Sequence, residues 1–167
     1  NNQYSDTFVI PEPYISDFGA RIMSLQDPKN KMSKSDDNLN NIISLLDEPA
    51  VIKNKIKRAV TDSETDIVFD EKREGLANLL TIYSIATGDN ISKIEDNYKG
   101  KMYSDFKTDL GDIIVELLAP IQKEYALLMK DKGHIETILQ NGAEKARNKA
   151  YKTLDKVYRK IGLIKRK

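Results

Sequence analysis

The strongest constraint on this chain is one long helical repeat. Phe106, Leu110, Ile113, Ile114, Leu117, Ile121, Tyr125 and Leu128 recur mostly at steps of three and four residues. That spacing gathers apolar side chains on one face of an α-helix, whereas a strand would need a period of two. The pattern predicts a helix over Tyr103–Lys130, kinked at Pro120 and ended by Gly133. A stripe this long has to be buried against other helices, as in a bundle.

Shorter stripes surround it. Asp47 is an N-cap candidate, Pro49 suits a first turn, and Val51, Ile52, Ile56 and Ala59 share one face. Residues 61–70, "TDSETDIVFD", break the pattern and read as a loop. Leu76, Leu79, Leu80, Tyr83 and Ala86 restart it, with Gly88 as a stop. A short helix is expected at Ser92–Lys99, ended by Gly100, and a linking helix at Ile135–Asn141. Ala143, Ala146, Ala150, Leu154, Val157 and Ile161 mark a last helix stopped by Gly162. The apolar runs 22–25 and 42–46 are too short for helices and read as short strands. The fold class is therefore mainly α: a bundle-like helical domain with a short α/β remnant at its N-terminal edge.

Composition narrows the function. No apolar run approaches the roughly 18 residues that a membrane-spanning helix needs, and there is no signal-peptide pattern. The chain has no cysteine, which removes disulfides, thiolate zinc sites and cysteine nucleophiles. His134 is the single histidine, and it reads as an exposed or capping residue and not as a metal ligand. Tyr83, Tyr125, Tyr151 and Tyr158 fall on helical patterns and read as packing residues.

Charge is unevenly spread. From Glu144 to Lys167 there are 10 Lys/Arg against 2 Asp/Glu, a net of +8, while the other residues carry 17 against 24, a net of −7. Lys145, Lys149, Lys152, Lys156, Arg159 and Lys160 sit on the last helix, and Lys165, Arg166 and Lys167 follow its stop. Such an end is either a nucleic-acid-facing surface or a solvated helix face.

The segment "DPKNKMSKSDDN", Asp27 to Asn38, carries the chemistry. Lysine ammoniums and serine hydroxyls on a loop suit phosphate oxygens. The Gly-rich cradle of a P-loop is absent, and taken alone such a loop is also compatible with plain solvated surface.

Within it, "KMSKS", Lys31 to Ser35, matches the second signature of class I aminoacyl-tRNA synthetases. "DTFVIPEPYI", "GARIMSLQDP", "AVTDSE", "NLLTIYSIATG" and "ARNKAYKTLDKVYRKIGL" add to the match, and together the chain resembles the bacterial tryptophanyl-tRNA synthetase family. The resemblance covers nearly the whole chain but only the C-terminal part of that family. No His-Ile-Gly-His-like element is present, and the first residue is Asn, so the chain is expected to be a C-terminal portion. One local departure is Arg73-Glu74 before Gly75, where many relatives carry a proline.

The resemblance implies a parent with a Rossmann-type domain and a helical domain. Residues 1–46 would then end the catalytic domain with the KMSKS loop, and residues 47–167 would form the helical domain that approaches the anticodon. It implies ATP as a substrate with Mg2+ carried on its phosphates, L-tryptophan held by the N-terminal part, tRNA(Trp), a homodimer and a cytoplasmic location. It implies Lys31 and Lys34 as catalytic donors to the leaving pyrophosphate. It also implies an ATP-binding set of Ile22, Lys31, Met32, Ser33, Lys34 and Ser35, with Ile22 at the adenine end and Met32 anchoring the loop by packing. A non-catalytic helical RNA-binding or interaction module is the alternative.

Overall fold

The computed structural model describes residues 1–16 and 18–164. Lys165, Arg166 and Lys167 of the basic tail lie outside the described residues. Among the described residues five α-helices follow in chain order: α1 Pro49–Lys57, α2 Glu74–Thr87, α3 Ile91–Asn97, α4 Tyr103–Leu128 and α5 Lys132–Ile161. The mainly α expectation is met. Two compact units are formed, one of Ile15–Glu124 and one of Asn1–Tyr14 with the segment from Tyr125 onward.

The first of these units has a continuous apolar core. Leu25, Ile52, Ile56, Leu76, Leu79, Leu80, Ile94, Phe106 and Leu110 are all essentially removed from water. Ile52, Ile56 and Ala59 of the first stripe and Phe106, Leu110 and Ile114 of the long one are buried as expected, whereas Val51, Leu117, Ile121, Tyr125 and Leu128 stay exposed and Leu118 takes a core place instead. An aromatic trio tightens the middle. Tyr83 stacks on Phe106 at 5.7 Å, and Tyr98 meets Phe106 edge-on at 5.1 Å. Burial raises the Tyr98 phenol well above its ordinary pKa, and its hydroxyl donates to Asp109 at 2.7 Å.

Several local expectations are corrected. The N-cap of α1 is Glu48, not Asp47. Asp47 is turned instead to Lys55, whose ammonium lies 2.6 Å away; that lysine is buried and needs a counter-charge. Among the described residues there is no strand at 22–25 or 42–46, only a single antiparallel bridge between Met23 and Lys31. A ladder requires a second extended neighbour, and the free edge of Met23 is taken by a side chain, described below.

Pro120 lies inside α4, which ends at Leu128, so Gly133 belongs to the next helix and not to the end of this one. In the second unit α5 runs for 30 residues through Gly142. The separate linking helix at Ile135–Asn141 does not exist. An interior glycine weakens a helix by about 1 kcal/mol, too little to break one of this length. Asp131 caps α5 by accepting from the His134 backbone N–H at 2.9 Å, and His134 itself is exposed. No residue of α5 is buried, so the predicted stripe exists but stays open, with Leu154 40 % exposed. In the same unit the Lys160 ammonium donates to the Asp6 carbonyl.

Candidate active-site loop

The loop rises from a clamped base. Ser24 N–H donates to the Asn30 carbonyl at 2.8 Å, and Met32 N–H donates to the Ile22 carbonyl at 2.9 Å. These two bonds flank the Met23–Lys31 bridge, which is therefore the close, non-hydrogen-bonded kind of antiparallel pair. Leu25 N–H reaches the Asn41 carbonyl at 3.1 Å, tying the exit of the loop to its entry. Leu25 in turn accepts from Val60 N–H at 2.8 Å, which fastens this base to the segment after α1.

Met32 and Ile22 face inward. Both pack against the core and line an apolar cavity with Ile43, Ile82 and Leu118. Met32 thus anchors the loop. The polar residues face the other way. Lys31, Lys34 and Ser35 are exposed and Ser33 is half-buried. Ser33 and Ser35 share a hydrogen bond between hydroxyls at 3.1 Å. Among the described residues no carboxylate is within ion-pair distance of Lys31 or Lys34.

The exit is stiffened by Asp36. Its carboxylate accepts from the Asn41 side chain and from Asn38 N–H, both at 2.9 Å. Those two bonds, the Asn41 one first, hold its pKa below the ordinary aspartate value. Asp36 is therefore an anion under ordinary conditions, but one whose lone pairs are committed to the loop's own frame.

The structure thus gathers Ile22, Lys31, Met32, Ser33, Lys34 and Ser35 on one small hairpin-like element, with two apolar members inward and the polar ones outward. The arrangement suits a substrate that offers several anionic oxygens, because two unpaired ammoniums and two hydroxyls are presented without competing carboxylates. One supporting residue was not legible in the sequence. Asn78, on α2, is buried and bonds both backbone groups of Met23, at 2.9 Å each. Its only signal is a lone amide within the apolar run "NLLTIYSIA".

Comparison with known proteins gives the family. Residues 1–119 match the family model of tRNA synthetases class I (W and Y). The chain belongs to that family. As a class I tRNA synthetase chain it is 53 % identical over 164 residues to the tryptophan–tRNA ligase of Listeria monocytogenes, covering 98 % of this chain and 49 % of the relative. It is 48 % identical over 164 residues to that of Clostridium tetani, covering 98 % and 48 %. The class I synthetase chain therefore spans about half the length of the curated relatives it matches. Among solved structures, tryptophanyl-tRNA synthetase from Mycoplasma pneumoniae superposes with a TM-score of 0.80 at 33 % identity, over 89 % of this chain and 45 % of that one. The Campylobacter jejuni synthetase complexed with ADP and tryptophan gives 0.68 at 27 % identity, over 98 % and 50 %.

Proposed function

We propose that this chain is the C-terminal part of a tryptophan–tRNA ligase and supplies its pyrophosphate-facing loop. The observation that carries the reading is the KMSKS loop itself, with Lys31 and Lys34 exposed on a clamped base and in no ion pair among the described residues. The tryptophan–tRNA ligases to which the chain is similar support the substrate assignment.

In the complete enzyme a carboxylate oxygen of L-tryptophan attacks the α-phosphorus of ATP. The bond to the bridging oxygen breaks, tryptophanyl-adenylate forms, and pyrophosphate leaves. A hydroxyl of the 3′-terminal adenosine of tRNA(Trp) then attacks the adenylate carbonyl and AMP leaves. Negative charge grows on pyrophosphate during the first step, so donors aimed there stabilise the transition state more than the ground state. Lys31 and Lys34 take that role, with Ser33 and Ser35 as supplementary donors. Ile22 lies at the adenine end, and Met32 anchors the loop by packing. Mg2+ arrives on the ATP phosphates as part of the substrate. The rest of the protein supplies the tryptophan pocket. Residues 1–46 belong to the end of the catalytic domain and 47–167 to the helical domain, and the whole acts as a cytoplasmic homodimer.

Replacement of Lys31 or Lys34 by Ala in the complete enzyme is expected to slow tryptophan-dependent ATP–pyrophosphate exchange by about 10²-fold or more, with tryptophan affinity unchanged. Wild-type exchange together with weakened tryptophan binding would remove the loop from this step. The 167-residue chain alone is expected to show no exchange, because the tryptophan pocket is elsewhere.

A further inference from the structure

We propose that Asn78 is a positioning residue of this ligase, resting on the reading above: its side-chain amide stands in for a neighbouring strand and fixes where Lys31 and the loop stand. In the close kind of antiparallel pair, the N–H and C=O of each residue point away from the partner strand. Met23 is such a residue, opposite Lys31. Its outward groups would normally meet another strand. Here Met23 N–H donates to Asn78 Oδ1 and Asn78 Nδ2 donates to the Met23 carbonyl, both at 2.9 Å. The two partners require this orientation of the amide, since one offers only a proton and the other only lone pairs.

The chemistry of the position favours this role over simple packing. Asn78 is only 6 % exposed, between Ala77 and Leu79 in the apolar run of α2. An aliphatic residue would pack there as well but would leave two backbone groups of Met23 unpaired. One hydrogen bond would fix only one of the two peptide groups that meet at Met23, whereas the pair fixes both. The path is short and covalent at each end: α2 holds Asn78, Asn78 holds Met23, and the bridge flanking Met23 holds Lys31. Misplacing a reacting group by about 1 Å lowers a rate by about 10²-fold, so the clamp matters for the rate even where the fold tolerates its loss.

The test uses the complete enzyme carrying Asn78→Leu, Asn78→Asp, Lys34→Ala, and Asn78→Asp with Lys34→Ala. Asp keeps the size and the acceptor for Met23 N–H but sets an oxygen against the Met23 carbonyl, so it serves where the Leu variant does not fold. Exchange is expected to fall about 10-fold or more in each Asn78 variant, with the tryptophan dissociation constant unchanged. The double variant is expected to lose little beyond Lys34→Ala alone, because the two act as one unit. Additive losses would show that Asn78 does not act through the loop and would overturn the proposal.

A second readout is independent of catalysis. In the 167-residue chain, Asn78→Asp is expected to speed amide hydrogen exchange at Ser24 and Met32 while Leu80 and Phe106 stay protected. Unchanged protection at Ser24 and Met32 overturns the clamp. Wild-type exchange by Lys34→Ala would sink the reading of the loop, and the catalytic role of Asn78 with it. A slow Lys34→Ala beside a fast Asn78→Asp would sink Asn78 alone.

Discussion

Arg73 grips Asp62 with two nitrogens, Nε to Oδ2 at 2.8 Å and Nη2 to Oδ1 at 3.1 Å. Tyr103, at the start of α4, donates its hydroxyl to the same Oδ1 at 2.6 Å, and Arg73 Nη1 reaches Asp66 at 3.1 Å. Arg73 is also the N-cap residue of α2, without a side-chain cap bond of its own. The loop after α1, the start of α2 and the start of α4 are therefore joined through one guanidinium. The approach to Gly75 is thus held by charge.

This pair sets an acid sensitivity. Hydrogen bonds from Arg73 hold the Asp62 carboxyl far below its ordinary value of 3.8, against a smaller opposing effect of burial. A carboxylate with a depressed folded pKa contributes stability above its unfolded value and loses it as pH falls toward the folded one. The contribution is thus intact above about pH 4 and fades below it. Asp62→Asn is expected to destabilise the chain at neutral pH by about 2 kcal/mol, less than for a fully buried pair because Asp62 keeps 25 % of its side-chain exposure. Urea unfolding at neutral and acid pH checks this. The variant should show the shallower acid decline, and equal declines would remove Asp62 as the source.

Two glycines should respond to alanine with opposite signs. A Cβ at Gly75 would sit 2.2 Å from the Val60 carbonyl oxygen, a backbone atom that cannot step aside. Gly75→Ala is expected to destabilise by about 3 kcal/mol through overpacking. At Gly142 a Cβ would meet nothing within 4 Å. Gly142→Ala is expected to stabilise α5 by about 0.5–1 kcal/mol through helix propensity. Urea midpoints of the two variants measure both, and destabilisation by Gly142→Ala would contradict the continuous α5.

The basic helix makes a prediction about tRNA. Lys160 is already engaged by the Asp6 carbonyl, so Lys149, Lys152 and Lys156 are the better probes, all of them exposed. Their triple replacement by Gln in the complete enzyme is expected to raise KM for tRNA and flatten its salt dependence, by about one unit of log–log slope per lost phosphate contact. Adenylate formation should not change. Wild-type KM and salt slope would make the +8 segment a solvated face.

Much of this was legible from residue order. The α2 stripe, the first half of the α4 stripe, the Gly88 and Gly162 stops and the KMSKS loop are all local signals, carried by neighbours in sequence. What was hidden depends on partners that the local pattern does not name. Asp47 reads as a cap until buried Lys55 claims it. The runs 22–25 and 42–46 have strand composition, but a strand is made by its neighbour, and Met23 finds a side chain 55 residues away instead. Asn78 looks like an interruption of an apolar face because its two partners are backbone atoms, which no side-chain pattern reveals. The expected break after Asn141 falls at Gly142, which the surrounding turns of α5 carry instead.

The regular pitch of α5 turns its lysines into a ruler. Lys145, Lys149, Lys152, Lys156 and Lys160 fall at steps of four, three, four and four, so they line one edge of the helix. Their spacing is about one ammonium per turn, or about 5.4 Å. A hinge at position 142 would have let this edge swivel against the turns before it. An unbroken rod fixes the spacing at which the lysine stems leave the helix, so only their flexible ends can adjust to the phosphates of a polyanion.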